Sequence, residues 1–131
     1  MIAGPLYDKM GRDSKMTSSP FDQIVGGKLS AVGFGLGHYP SLQFDGPSIS
    51  VMTPVMVICN QSMAVTGDEQ FKNRLCAQIG KVVANVQLSE EESLNLIFDD
   101  SSRVSISLKP DDYTGPETVV FHGHGNTIVV I

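Results

Sequence analysis

The sequence predicts an α+β domain leaning mainly β, built from two pseudo-repeats of antiparallel β-hairpins in a partly closed sheet or barrel, with one or two short helices. Three observations predict it. "LQFDGPSISVMTP" (42–54) and "LIFDDSSRVSISLKP" (96–110) share Phe-Asp, a short polar turn, a strand with Ser between apolar residues, and a closing Pro. Several stretches alternate apolar and polar at period two, the mark of an antiparallel sheet with one wet face. Glycine is plentiful, at 13 residues, and helical periodicity is confined to two short stretches.

The 131 residues, 41% hydrophobic and 18% charged, fit one globular domain with a core of its own. Residues 1–18 read as an N-terminal tail, polar and without sustained periodicity. Its Leu6, Tyr7 and Met10 are expected to dock on a groove of this chain or of a neighbouring subunit. Residues 19–131 read as a single domain, with pseudo-repeats 19–65 and 66–131.

"SSPFDQIVGGK" (18–28) reads as a short helix. Ser19 caps it, Pro20 suits its first position, and Asp22 stands where a capping box needs an acid. Phe21, Ile24 and Val25 share its inner face, and Gly26-Gly27 stop it. "TGDEQFKNRLCAQIGK" (66–81) reads as the longer helix. Thr66 and Glu69 have capping-box spacing, and Phe71, Leu75 and Ile79 recur every four residues with Cys76 beside them. Both helices end in Gln-Ile followed by Gly-Lys, and each leads into a strand, the Phe-Asp turn and a second strand.

In the second half "VVANVQL" (82–88) puts Val82, Ala84, Val86 and Leu88 on one face. "LNLIFD" puts Leu94, Leu96 and Phe98 inward, and "RVSISLK" does the same for Val104, Ile106 and Leu108. "SEEES" and "DDSS" are hairpin-sized turns. In the first half Gly33, Gly35 and Gly37 interrupt the first strand and suggest a bulge or a close backbone approach. "VMVIC" (55–59) is apolar on both faces and is expected to be covered. "NTIVVI" (126–131) is also apolar on both faces, so it should be central in the sheet or lie at a subunit interface.

Charge and composition exclude several functions. The net charge is −5, and nine Lys and Arg are scattered without a basic run, which gives no footprint for nucleic acid. No stretch approaches the roughly 18 apolar residues of a membrane helix. Cys59 and Cys76 form no zinc framework and read as buried reduced thiols of a cytoplasmic protein, Cys76 as plain core.

Candidate chemistry is sparse. His122 and His124 have H-x-H spacing, which on a continuous strand points both rings to one side, and His38 is the third histidine. Gly123 and Gly125 favour instead a glycine-rich hairpin tip. "GFGLGHYP", which holds His38 and Tyr39, lacks the phosphate-loop pattern. Tyr113 stands in a polar loop between two prolines, where packing or a binding rim would use it. The acidic pairs Asp99-Asp100 and Asp111-Asp112, and the run Glu90–Glu92, fall in turns where solvent removes their acid–base leverage. The ligand-binding candidates are therefore His38, Tyr39, Tyr113, His122 and His124, with no catalytic residue, metal or cofactor assigned.

"GKVVANVQLSEEESLNLIFDDSSRVSISLKPDDYTGPETVVF" (80–121) resembles small uncharacterised bacterial β-rich domains of the kind found in integron gene cassettes or toxin–immunity loci. The resemblance covers about a third of the chain. It implies a binding or neutralising role and supplies no catalytic residue. The expected function is a non-enzymatic binding or interaction protein of immunity-like type. It would be a homo-oligomer, a dimer through the apolar C-terminal strand, with an acidic surface open to a further protein partner. The alternative is a small-molecule-binding barrel, or an enzyme with a histidine-containing pocket.

Overall fold

The computed structural model describes residues 19–35, 39–113, 117–125 and 127–131. The tail residues Leu6, Tyr7 and Met10, together with His38, lie outside them. The protein is mainly β, with two five-stranded antiparallel sheets. The sheets are open, so the expected barrel is not formed.

The strands in chain order are β1 (Leu29–Phe34), β2 (Pro40–Phe44), β3 (Ser48–Val51), β4 (Val55–Cys59), β5 (Ser62–Val65), β6 (Val83–Ser89), β7 (Ser93–Phe98), β8 (Arg103–Ser107), β9 (Val119–His122) and β10 (Ile128–Val130). One sheet has the order β10-β9-β3-β2-β1, the other β5-β4-β8-β7-β6. Each sheet is thus a three-stranded meander from one half of the chain, extended by a two-stranded hairpin from the other half. Hairpin β4–β5 pairs with β8, and hairpin β9–β10 pairs with β3.

A 3₁₀ turn (Pro20–Ile24) opens the described chain. The Ser19 hydroxyl accepts from the Phe21 N–H at 3.2 Å, and the Ser19 N–H donates to Asp22 at 3.0 Å, as the capping-box spacing predicts. Phe21 and Ile24 are buried, but Val25 is exposed. The second helix is shorter than its pattern. Only α1 (Phe71–Cys76) is helical, and its N-cap Gln70 makes no side-chain cap. Thr66 is taken by β4 instead: its hydroxyl accepts from the Val55 N–H at 2.8 Å and its own N–H donates to the Val55 carbonyl. Phe71 and Leu75 enter the core, whereas Ile79 is 42% exposed because the helix has ended before it. Cys76 is exposed, not core, and Cys59 is half-buried.

The inner faces of both sheets meet in one apolar core, which includes Leu29, Leu42, Ile49, Val57, Leu96, Val104 and Phe121. Strands β7 and β8 present the expected inward residues, Leu94, Leu96, Phe98, Val104 and Ile106. Strand β6 departs from its alternation. A bulge between Val83 and Asn85 shifts the parity, so Val83 and Val86 are buried while Ala84 is exposed. Strand β1 has the same bulge, between Leu29 and Ala31, away from the glycines expected to cause it.

The first strands of the two meanders meet at their starts. Gly26 and Gly80, both in the left-handed region at φ 88° and 98°, turn the chain into this junction. The Gly26 N–H donates to the Val83 carbonyl at 2.8 Å, and the Gly80 N–H donates to the Leu29 carbonyl at 2.8 Å. The Leu29 N–H donates to Lys81 at 3.0 Å, and the Val83 N–H donates to Gly27 at 2.9 Å. Within each pair, one bond becomes the other when 54 is added to the donor's number and taken from the acceptor's. The antiparallel bridge at the centre joins Lys28 to Val82, which are themselves 54 residues apart.

Candidate functional site

Among the described residues, those singled out in the sequence do not converge. His122, at the end of β9, is exposed and stands opposite Ser48 and Ile128. The chain leaves the strand at Gly123, so His124 does not continue the H-x-H face. Its backbone N–H donates to the Gln23 side chain at 2.8 Å, and its exposed ring lies beside Gly46. Tyr39 is half-buried at the opposite end of β2, which at five residues places it roughly 15 Å away. Tyr113 follows the 3₁₀ turn beyond β8 of the other sheet, where its hydroxyl donates to the Leu108 carbonyl at 3.2 Å. Among the described residues, no three His, Cys, Asp or Glu side chains group as a metal site.

The most ordered polar cluster is one that sequence reading passed over as a solvated turn. Asp100 closes the β7–β8 turn by accepting from the Ser102 N–H at 3.0 Å and the Ser102 hydroxyl at 2.5 Å. The Lys81 ammonium sits on its other oxygen at 2.7 Å and also reaches the Ser102 hydroxyl at 3.3 Å. Gln78, buried, lies 2.8 Å from that hydroxyl, whose single proton serves either Asp100 or Gln78. Cys59 Sγ is 3.9 Å from the ammonium. The signal was present in "DDSS", since an Asp two residues before a Ser is suited to such a turn.

A lysine beside a serine and a cysteine suggests a nucleophile with its base, but the charges argue otherwise. A base must be neutral to take a proton, and Lys81 is instead ion-paired with the Asp100 carboxylate at 2.7 Å. The Lys81 contact, then the two hydrogen bonds from Ser102, hold the Asp100 carboxyl well below the usual carboxylate range. The cluster therefore pins a turn to the helix end.

This sets a pH dependence. With its folded pKa depressed, Asp100 stabilises the fold fully above its unfolded pKa of about 4, and that contribution is lost as pH falls through the folded value. The Asp100 side chain is 46% exposed, so screening limits the contribution to about 0.2–1 kcal/mol. Asp100→Asn should lose this stability at pH 7 and show a shallower decline than the parent between pH 5 and pH 2. Denaturant titrations across this range check it, and parallel curves for the two chains would contradict it.

An open groove of about 320 Å³ crosses the outer face of the second sheet, between Met56 and Val65 on one side and Ser105 and Ser107 on the other. Its polar groups partner one another. The Ser107 hydroxyl donates to Asp112 at 2.5 Å and accepts from the Lys109 N–H at 3.3 Å.

The sheet edges are the other notable surface. Strand β10, expected to be central or at an interface, is the outermost strand of its sheet, with Ile128 61% and Val130 51% exposed. Strand β5 is outermost in the other sheet, with Met63 64% and Val65 37% exposed. Neither strand carries a charged residue. Strand β4, expected to be covered, lies between β5 and β8, with Val55 and Val57 buried and Met56 and Ile58 half-buried on the outer face.

The fold and its surfaces define a mainly β, two-sheet protein with apolar outer edges. No protein-family model, no curated protein and no solved structure matches the chain. Among the described residues, no helix is long and apolar enough to cross a membrane.

Proposed function

We propose that this chain is a non-enzymatic binding protein that works through the free edges of its sheets, pairing with a second copy of itself along β10. The observation that carries this is the exposure of Ile128 and Val130 on an uncharged outermost strand. Natural edges are blunted by charge, proline or bulges. The bulged strands here are β1 and β6, whereas β5 and β10 have none of these devices in the registers described. Two bodies of net charge −5 repel, and an edge free of charge is where they approach at least cost. The acidic surface also suits a basic protein partner, the immunity-like role implied by the resemblance at residues 80–121.

The arrangement supports reading the chain as two copies of one unit. Supporting it are the bonds repeated at a spacing of 54, the two bulges and the two left-handed glycines. On this reading β5 and β10 are counterparts. Met63 opposes Ile58 as Ile128 opposes His122, and Val65 opposes Met56 as Val130 opposes Val120.

Ile128→Lys with Val130→Lys tests the edge. Both side chains are more than half exposed, so folding should be unaffected. Light scattering after size exclusion should give a dimer for the parent chain and a monomer for the double variant. A parent chain that stays monomeric as concentration is raised would overturn the proposal.

A further inference from the structure

We propose that the β9–β10 hairpin is exchangeable, so that two copies of this chain form a dimer in which each hairpin completes the other copy's sheet. In chain order the hairpin follows β8 of one sheet, yet it is seated in the other. The described hydrogen bonds between it and the rest of the chain run to residues 23–52. Val119–His122 pair with Ser48–Val51, the His124 N–H donates to Gln23, and the Met52 N–H donates to Thr118. One of its core contacts, Phe121 on Phe21 at a ring separation of 5.0 Å, also falls in the first half. A second copy offers all of these partners unchanged, so exchange needs no new contact, the condition under which swapping is a low-cost route to a dimer.

The connector is arranged for this. Asp112 accepts from the Ser107 hydroxyl and Tyr113 donates to the Leu108 carbonyl, which ties the 3₁₀ turn Pro110–Asp112 to the end of β8. In the exchanged dimer the chain as far as Tyr113 therefore stays with its own copy. The β4–β5 hairpin is bounded by chain on both sides, β3 before it and α1 after it, so its exchange would need two connectors to move.

Exchange between copies competes with closure within one. It should prevail when the refolding concentration passes the effective concentration that the connector gives the hairpin, roughly millimolar for a short link. The test places Ser48→Cys and His122→Cys, which face each other across β3 and β9, in a chain carrying Cys59→Ser and Cys76→Ser. After unfolding, refolding and oxidation, dilute samples should give the intrachain disulfide. Concentrated samples should give interchain dimers that persist on dilution. Intrachain bonds alone at every concentration would overturn the proposal. Should the cysteine variant not fold, the Ile128→Lys, Val130→Lys chain is refolded and sized over the same range. Edge pairing is abolished there, so a dimer that survives dilution supports exchange and a monomer throughout rejects it. The exchange does not rest on edge pairing, and either can fail alone.

Discussion

Phe121→Ala is expected to cost the fold about 3–5 kcal/mol, the usual range for removing a buried phenylalanine. Phe121 has no measurable exposure, and its ring lies against Phe21 at 5.0 Å and a tilt of 48°. The Gln23 side chain and the Phe121 ring crowd Gly123 so closely that even a Cβ there would displace one of them. The loss should be felt locally as well as globally, because Phe121 is a fully buried apolar anchor of the last hairpin. Amide exchange in β9 and β10 should accelerate more than exchange in β7 and β8. Val120→Ala, on the outer face of the same strand and half-buried, is the comparison, expected at about 1 kcal/mol or less. Urea titration of the three chains measures both. A Phe121→Ala loss as small as that of Val120→Ala would mean that the hairpin is not seated on Phe21.

What could be read in the sequence followed the reach of each signal. Alternation alone placed Leu94, Leu96, Phe98, Val104 and Ile106 inward, because β7 and β8 are regular and pair without a shift. It failed at β6, where one extra residue between Val83 and Asn85 reverses the faces, and no residue type there announces a bulge. The capping pattern held at Ser19 and failed at Thr66, because strand β4 competes for the Thr66 hydroxyl and wins. Helical periodicity assigns Ile79 and Cys76 to the core; Ile79 is exposed because the helix stops before it, and Cys76, the last helical residue, faces solvent beside the buried Leu75.

Sheet membership was not legible at all. The matching Phe-Asp turns at Asp45 and Asp99 point to two meanders, but which hairpin joins which sheet depends on pairings across 45 residues (Ile58 with Arg103) to 74 residues (Ser48 with His122). The candidate ligand residues failed for a related reason. His122 and Tyr39 belong to one sheet but lie at opposite ends of it, a separation that the chain order does not reveal. The Lys81–Asp100 pair joins a helix end to a turn about twenty residues later, and only the turn half was readable.

Gly26→Ala and Gly80→Ala test the junction and, with it, the proposed duplication. Both glycines hold positive φ, where an L side chain costs roughly 1–2 kcal/mol, and nothing lies within 4 Å of a Cβ at either place. Steric contact is therefore absent from both, and the cost is backbone strain alone. The strain falls on equivalent donors, since each glycine N–H bonds to a carbonyl at the start of the opposite meander. The single substitutions should destabilise by equal amounts to within about 0.5 kcal/mol, the margin for independent sites. The double substitution should cost about 2–4 kcal/mol, the largest effect here that removes no side chain. Denaturant midpoints at constant m-value read all three. If Gly80→Ala is neutral while Gly26→Ala is costly, or the reverse, the two glycines do not do the same job, and the junction does not join two copies of one unit.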